Sequence, residues 1–406
     1  MGRKVLTILT ILLFTVWIPA EIIEKEFVAE PGKTLYVDIE IGGDLVVTGW
    51  DRETANISVT YQGRNCDDLD LNIEQRSGNI YVNAKSKFRD WGSHCNIDFE
   101  ITVPDHFNLD LESNGGDFTV TNISGEMEGK TMGGDMEFVR LTGELHFVTM
   151  GGEIDLRNSE VDGLVKSMGG SVTIRDVIGD VKGKTMGGNV YYKNVTSRDG
   201  GTIETSTMGG NIDIHSKTQA VNASTMGGNI DASGTEVKVS TMGGDIDVKE
   251  ATLGADVHTM GGDIYIKSAS KYVKAKTMGG DIDVDAINGW IKATTMGGDI
   301  TVKMTGDAKT GDRHVQLTSF GGDVSLTLPD GLDMEFDIEL AYTKNHRRNY
   351  KITSDYDMTL EETDEWERSF MFGEPRKKIY GSGIVGKGTH LIKIKTTNGN
   401  IVIKKS

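Results

Sequence analysis

The chain has 406 residues and a formal net charge of −18, with 61 acidic residues against 43 lysines and arginines. This acidic balance argues against a nucleic-acid partner and favours solubility. Glycine accounts for 52 residues, and aromatic residues make up only 7% of the chain. Such a composition suits thin repeating units with tight corners better than one large globular core.

The chain opens with a basic tetrapeptide and an apolar run over residues 5–18, which ends at Pro19 and Ala20. This pattern is typical of a secretory signal peptide, assigned to residues 1–20. An uncleaved anchor is the alternative, and only then would the protein contact a membrane. We therefore expect an exported protein that is periplasmic, at the cell surface or secreted.

Residues 21–110 are predicted to form an N-terminal β-rich cap. Polar and apolar residues alternate with the period of half-buried strands over residues 35–41, 44–48, 56–61, 79–84 and 97–103. Cys66 and Cys95 are the only cysteines. A single pair in an oxidising compartment predicts one disulfide. Metal binding by this pair is not expected, because Cys-x-x-Cys is absent and His94 is the only nearby imidazole.

Residues 111–328 repeat the signature Thr/Ser–Met–Gly–Gly–polar, which starts at Thr131, Thr149, Ser167, Thr185, Thr207, Thr225, Thr241, Thr259, Thr277 and Thr295. Seven of the nine steps are 18 residues long. Short polar–apolar alternations follow each copy, without helical spacing. The predicted fold is all-β, a single-stranded β-solenoid (β-helix-like) with about 18 residues per coil and irregular β caps at both ends. Its inward positions include Ile282, Val284, Ile291 and Ala293.

The repeated glycine pair is interpreted as a structural corner, formed by Gly133, Gly134, Gly151, Gly152, Gly187, Gly188, Gly243, Gly244, Gly261, Gly262, Gly279, Gly280, Gly297 and Gly298. A corner that stacks on itself favours a residue without Cβ that also tolerates positive φ. Valine at Gly279 is therefore expected to cost more than about 2 kcal/mol. The same change at Gly289, in the variable turn, is expected to be milder.

Charged residues also recur from coil to coil. The polar residue after each corner forms a first file of Asp135, Glu153, Asn189, Asn211, Asn229, Asp245, Asp263, Asp281 and Asp299. A second file contains Asp155, Asp213, Asp231, Asp247 and Asp283, and a third contains Arg157, Arg175, Lys193, His215, Lys249, Lys267 and Lys303. We interpret these files as charge ladders that pair adjacent coils. Calcium is the alternative, but the GxGxD core of calcium-binding β-rolls is absent, so neither a metal site nor a cofactor is expected.

The signature methionines form another file, made up of Met132, Met150, Met168, Met186, Met208, Met226, Met242, Met260, Met278 and Met296. Counting back from Ile282 places Met278 inside, whereas counting forward from Ala293 places Met296 outside. The file is therefore either a buried sulfur ladder or an exposed apolar stripe for docking. Copper binding is not expected, because histidine and cysteine do not accompany the file.

Residues 329–406 are predicted to contain C-terminal strands and a long inserted loop at about 342–380. The insertion carries a basic cluster at 344–348, an acidic stretch at 361–367 and the apolar residues 370–372. Two interpretations remain open, a self-neutralising surface loop or hairpin and a recognition arm.

Catalytic motifs are missing. The eight histidines are scattered, at His94, His106, His146, His215, His258, His314, His346 and His390, and neither HExxH nor GxSxG occurs. No catalytic residue is therefore assigned. A polysaccharide lyase or hydrolase is the alternative, since such enzymes can also be β-solenoids, but the monotony of the coils favours a binding or structural rod.

The segments EIGGDLVVTGWDRE (40–53), ITVP (101–104), the repeated GG[DN]-Ile strands and GKGTHLIKIKTTNGNIVIK (386–404) together resemble the bacterial putative-adhesin β-repeat family. This resemblance implies a domain of unknown function in exported and membrane-linked proteins, without established catalytic residues. The near-perfect Met-Gly-Gly corners and the insertion depart from the family pattern. We expect adhesion or scaffolding, with a protein or glycan partner at a cell surface.

Overall fold

The computed structural model describes residues 20–64, 66–87, 94–344, 350–368 and 374–406. The assigned signal peptide, apart from Ala20, lies outside these residues, as do positions 345–348 of the basic cluster and the apolar residues 370–372. Within the described residues, no helix has the length and hydropathy needed to cross a membrane.

The described chain is all-β, as predicted, with one short 3-10 helix (Cys66–Asp68). The N-terminal region contains β1 (Glu21–Val28), β2 (Thr34–Ile39), β3 (Asp44–Trp50), β4 (Thr54–Arg64), β5 (Leu69–Arg76), β6 (Asn79–Ser86) and β7 (His94–Pro104). The predicted disulfide between Cys66 and Cys95 is confirmed, and it joins the 3-10 helix to β7.

The repeat region contains β8 (Asn108–Ser113), β9 (Phe118–Thr121), β10 (Ser124–Thr131), β11 (Met136–Val139), β12 (Thr142–Thr149), β13 (Ile154–Ser167), β14 (Val172–Ile178), β15 (Val181–Lys184), β16 (Val190–Thr196), β17 (Thr202–Ser206), β18 (Ile212–His215), β19 (Ala220–Ser224), β20 (Ile230–Ser240), β21 (Ile246–His258), β22 (Ile264–Ile266), β23 (Tyr272–Lys276), β24 (Ile282–Ile287), β25 (Trp290–Thr295), β26 (Ile300–Met304), β27 (Val315–Ser319) and β28 (Val324–Leu328). Strands leading into the Thr-Met-Gly-Gly corner pair in parallel with one another and form a front face. Strands leaving the corner do the same and form a back face.

The register follows the sequence repeat. Ile264 pairs with Ile282, which in turn pairs with Ile300, at steps of 18 residues. The longer steps pair Val190 with Ile212 and Ile300 with Val324. Their extra residues lie between strands, so the strands remain aligned.

The core lies between the two faces, and the predicted inward positions are confirmed. Ile282, Val284, Ile291 and Ala293 are all at most 2% exposed. Burying one isoleucine side chain contributes about 1.5–3 kcal/mol relative to leaving it in water. Because each coil covers the apolar side chains of the next, the stack stabilises units that could not bury a core alone.

The C-terminal region contains β29 (Met334–Thr343), β30 (Ile352–Ser354), β31 (Thr359–Glu362), β32 (Glu367–Arg368), β33 (Pro375–Val385), β34 (His390–Thr397) and β35 (Ile401–Lys405). The described part of the predicted inserted loop is therefore partly strand. β30 pairs with β35, and β31 and β32 pair with β33. These pairings satisfy backbone groups that an exposed loop would leave to water.

Both ends of the stack are closed in the same way. The first coil, β2–β3, lies between β6–β7 and β8–β9. The last coil, β34–β35, lies between β27–β28 and β29–β30. Antiparallel strands β4 and β5 cover one end, and β33 covers β29 at the other. The first and last coils of the sequence thus lie inside the stack, and antiparallel strands cover the outer edges of β6, β7 and β29.

Candidate functional site

The ten signature methionines lie outside the core. Nine of them are between 38 and 57% exposed, Met168 is half-buried, and Phe320 continues the file at 51% exposure. We call these eleven residues the methionine stripe. Their spacing is one per coil, so the stripe extends for about 48 Å along one edge of the rod.

The break in alternation occurs at the first glycine of each corner. In the coil at β25, Thr295 is buried, Met296 and Gly297 are both exposed, and Gly298 is buried again. Two consecutive outward residues therefore separate the front face from the back face. Of the two interpretations left open by the sequence, the structure shows the exposed stripe.

A buried hydroxyl file supports the stripe from within. Thr277 is fully buried, and its hydroxyl donates to the Gly262 carbonyl at 2.9 Å and accepts the Gly280 N–H at 3.3 Å. Equivalent bonds to the carbonyl recur at Thr131, Thr149, Ser167, Thr185, Thr207, Thr225, Thr241, Thr259, Thr295 and Ser319. The alternation of polar and apolar residues does not predict this role, although the sequence carries a signal for it, since only threonine or serine occupies the position.

Of the two reasons predicted for the corner glycines, close stacking between coils applies to the second glycine of each pair, and the expected positive φ is wrong. None of the fourteen assigned glycines has a positive φ. An added Cβ at Gly280 would lie 2.2 Å from the Gly262 carbonyl oxygen, whereas at Gly279 the nearest atom, the Gly261 oxygen, is 3.2 Å away. The second glycine therefore faces the preceding coil at a distance that excludes any side chain. The expectation for Gly289 is wrong, because its Cβ would lie 2.1 Å from the Lys271 oxygen.

The first acidic file is satisfied by the backbone. A carboxylate oxygen of Asp263 accepts the N–H of Asp281 at 2.8 Å, and Asp281 does the same for Asp299 at 2.7 Å. Asn211 accepts from Asn229 in the same geometry, also at 2.8 Å. Each of these hydrogen bonds needs only a side-chain oxygen that accepts a backbone N–H. Asp and Asn both supply one, which explains why either residue occurs in this file.

The predicted charge ladder forms only in places. Asp155 pairs with Arg157 and Arg175, each at 2.8 Å, and Lys249 pairs with Asp231 at 2.6 Å. Asp283 forms no such ion pair with a described lysine or arginine, and a hydrogen bond with Thr301 only partly stabilises its charge. Burial raises its pKa, and the carboxylates of Asp281 and Asp285 add to that effect. The interpretation of these files as charge ladders that pair adjacent coils therefore holds at some coils and not along the whole repeat region.

Removing divalent ions is expected to leave the rod folded, because backbone N–H groups of the next coil donate to the carboxylates of the first file. Asp281→Asn should change the free energy of unfolding by less than about 0.5 kcal/mol, whereas Asp281→Ala should cost about 1 kcal/mol. Urea melts of both variants, in chelator and in millimolar calcium, measure these effects. A calcium-dependent rise of many degrees in melting temperature would show instead that the file binds the ion.

Two surface cavities lie towards the N-terminal end of the rod. One, of about 510 Å³, is lined by Met132, Met150 and Met168 on one side and by charged side chains that include Glu112, Glu128 and Lys130 on the other. The other, of about 580 Å³, lies on the front face and is lined by acidic groups including Asp110, Glu126, Glu128 and Glu144. Burial, with the Glu128 charge, raises the pKa of Asp110. The two cavities share Asp110, Glu128 and His146, so the N-terminal end of the methionine stripe borders the acidic groups of the front face.

The histidines are less scattered in space than in sequence. His314 and His390 come together with Asp312 at the C-terminal end of the repeat region. His215 and His258 instead pair with aspartates of the acidic surface.

Stacked parallel strands, a buried apolar core and covered ends define a solenoid-like β-repeat protein. Its sequence matches the Toastrack DUF4097 family over residues 28–233 and 216–404, and the chain belongs to this family. The predicted resemblance to an adhesin-like family of unknown function is confirmed at this level. No curated protein matches the sequence significantly.

Similar solved structures include a putative adhesin from Bacteroides fragilis, with a TM-score of 0.32 and 16% identity over 59% of this chain and 97% of that one. A putative cell adhesion protein from Clostridium sporogenes gives a TM-score of 0.17 and 9% identity over 95% of this chain and all of that one. A putative lipid binding protein from Parabacteroides distasonis gives a TM-score of 0.27 and 13% identity over 76% and 96% of the two chains.

Proposed function

We propose that this chain is an exported, non-enzymatic, adhesin-like rod that binds a protein partner through the methionine stripe. The rod is a single-stranded solenoid with 18-residue coils and irregular end caps, placed in the periplasm or at the cell surface. The disulfide supports an exported location, since disulfides persist in oxidising compartments. The family and the adhesin names of its neighbours support the adhesive role.

The exposed stripe is the observation that carries this proposal. Isolated exposed methionines are ordinary, but a file of ten ending in Phe320 is a continuous apolar surface. Methionine is unbranched and polarisable, so it adapts to partner surfaces of differing shape. The glycines that follow each methionine have no side chain to obstruct approach. An apolar stripe with these properties fits a protein surface better than a heavily hydroxylated glycan.

Replacing Met226, Met242, Met260 and Met278 together by glutamine tests the proposal. Because these side chains are half-exposed, the variant should fold normally. The amount of the variant retained on protein-coated beads should nevertheless fall at least tenfold. The matched control replaces the same four residues by leucine, which keeps the stripe apolar and should preserve retention. Beads coated with serum proteins, with proteins of the producing cell envelope, and with acidic or neutral polysaccharides provide the measurement.

Equal retention by the glutamine and leucine variants would contradict a role for the stripe. Retention on polysaccharide beads alone would replace the protein partner by a glycan. Release of soluble oligosaccharide from those beads would overturn the non-enzymatic assignment in favour of a lyase or hydrolase, for which the acidic cavity around Glu128 would be the first place to mutate.

A further inference from the structure

A cluster of three potential metal ligands lies at the C-terminal end of the repeat region. One ligand atom each from Asp312, His314 and His390 lies within 4.8 Å of the others. The two imidazole rings are 5.5 Å apart and perpendicular. The Asp312 carboxylate contacts His314 Nδ1 and also accepts the His314 backbone N–H at 3.0 Å. Three groups that can each offer a lone pair thus converge at one surface point.

The loop that carries two of these ligands is firmly held. It arises from the 24-residue step between Thr295 and Ser319, six residues longer than the usual 18 (24 − 18 = 6). Arg313, only 1% exposed, lies inside it. Its guanidinium donates to the backbone oxygens of Thr305 at 2.6 Å, Asp307 at 2.9 Å and Thr310 at 3.0 Å. It also donates to the side-chain oxygen of Asn288. A buried cation with four acceptors fixes the loop in one shape.

The third ligand comes from a distant part of the chain. His390 begins β34, the last coil, which pairs with β27 through Val315 and Ile392. Its backbone N–H donates to the Asp333 carbonyl at 3.1 Å, and its Nδ1 accepts the Arg313 N–H at 3.3 Å. The stacking of coils therefore holds the His390 side chain against the loop, although His390 and His314 are 76 residues apart in sequence.

We propose that Asp312, His314 and His390 bind a divalent transition-metal ion of the Zn²⁺ class. Two imidazoles and one carboxylate form a donor set that zinc accepts, whereas calcium and magnesium prefer oxygen ligands alone. Solvent completes the coordination, since Asp312 and His314 are exposed. The ion joins the extended loop to the last coil, so its binding stabilises the C-terminal end of the rod.

The other surface histidines whose side chains the structure describes lack this arrangement. His215 has two aspartates nearby, but the ammonium of Lys249 lies 3.1 Å from its Nε2. The ammonium therefore fills the position that a metal ion would need. His258 contacts Asp256 at 2.9 Å, and the second charged group beside that carboxylate is Lys274, at 3.9 Å, which is not a metal ligand here. Within the described part of the chain, no other group of three histidine, cysteine or carboxylate ligands converges so closely. His258 therefore provides a matched control.

Titrating the untagged, chelator-treated chain with ZnCl₂ tests this site. Calorimetry should show one equivalent of Zn²⁺ bound, and the melting temperature should rise by several degrees. Co²⁺ in place of Zn²⁺ should give visible absorption bands from a site with nitrogen ligands. His314→Gln and His390→Gln should each weaken binding at least tenfold, whereas His258→Gln should leave it unchanged.

Circular dichroism and metal-free melts of each variant show whether it folds, and Asp312→Asn provides a third substitution if either histidine variant does not. Absence of stoichiometric binding to the parent chain would overturn the proposal and leave a simple Asp312–His314 pair. Equal weakening by His258→Gln would also overturn it, because binding would then be spread over the surface histidines.

Discussion

Gly280→Ala is expected to lower the free energy of unfolding by more than about 2 kcal/mol, although it adds only one methyl group. The new Cβ would lie 2.2 Å from the carbonyl oxygen of Gly262. That oxygen belongs to the backbone of the preceding coil and cannot rotate away. Relief requires the two coils to separate, which would also strain the hydroxyl contacts of Thr277 to Gly262 and Gly280.

The neighbouring Gly279→Ala is the matched control, with an expected cost below about 1 kcal/mol. Its Cβ would meet the Gly261 oxygen at 3.2 Å, a contact that a shift of a few tenths of an ångström relieves. Gly289→Ala should destabilise the protein about as much as Gly280→Ala, because its Cβ would lie 2.1 Å from the backbone oxygen of Lys271. Urea melts rank the three variants. Similar losses at Gly279 and Gly280 would mean that the second glycine has no special position.

These glycines show how far the sequence could be interpreted. Strict alternation around Ile282 and Ile291 identified the core, because a strand has only two faces. The corner between those strands follows no such rule. The side of the chain on which Met278 lies depends on where the alternation breaks, and this is set by backbone contacts between coils. Alternation alone could not therefore decide between a buried and an exposed methionine.

Local sequence patterns also could not predict contacts between residues that are far apart in the chain. His314 and His390 meet only because the last coil inserts between β27 and β29, and nothing in the local pattern predicts that order. The acidic files were identified from the sequence, but their partners were partly misassigned. Charge matching suggested lysine and arginine, whereas the close stacking of coils brings the backbone N–H of Asp281 to Asp263 first.

Thr277→Val is expected to destabilise the rod by about 2–4 kcal/mol, because valine keeps the volume of threonine but removes its hydroxyl. The Gly262 carbonyl would lose a donor at 2.9 Å, and the Gly280 N–H would lose an acceptor at 3.3 Å. Thr277 is fully buried, so water cannot easily replace either bond. Each unsatisfied buried backbone group costs about 1–3 kcal/mol.

Thr277→Ser separates the hydroxyl from the methyl group. Serine keeps both hydrogen bonds and already occupies the equivalent positions at Ser167 and Ser319. Its expected cost is about 0.8 kcal/mol, the value of one buried methyl group. Urea melts give the free energies, and amide exchange at Gly280 should accelerate in the valine variant alone. If valine proves as stable as serine, the file acts by packing and its hydrogen bonds contribute nothing net. If valine alone is destabilised, the hydroxyls hold successive corners together and thereby fix the spacing of the methionines above them.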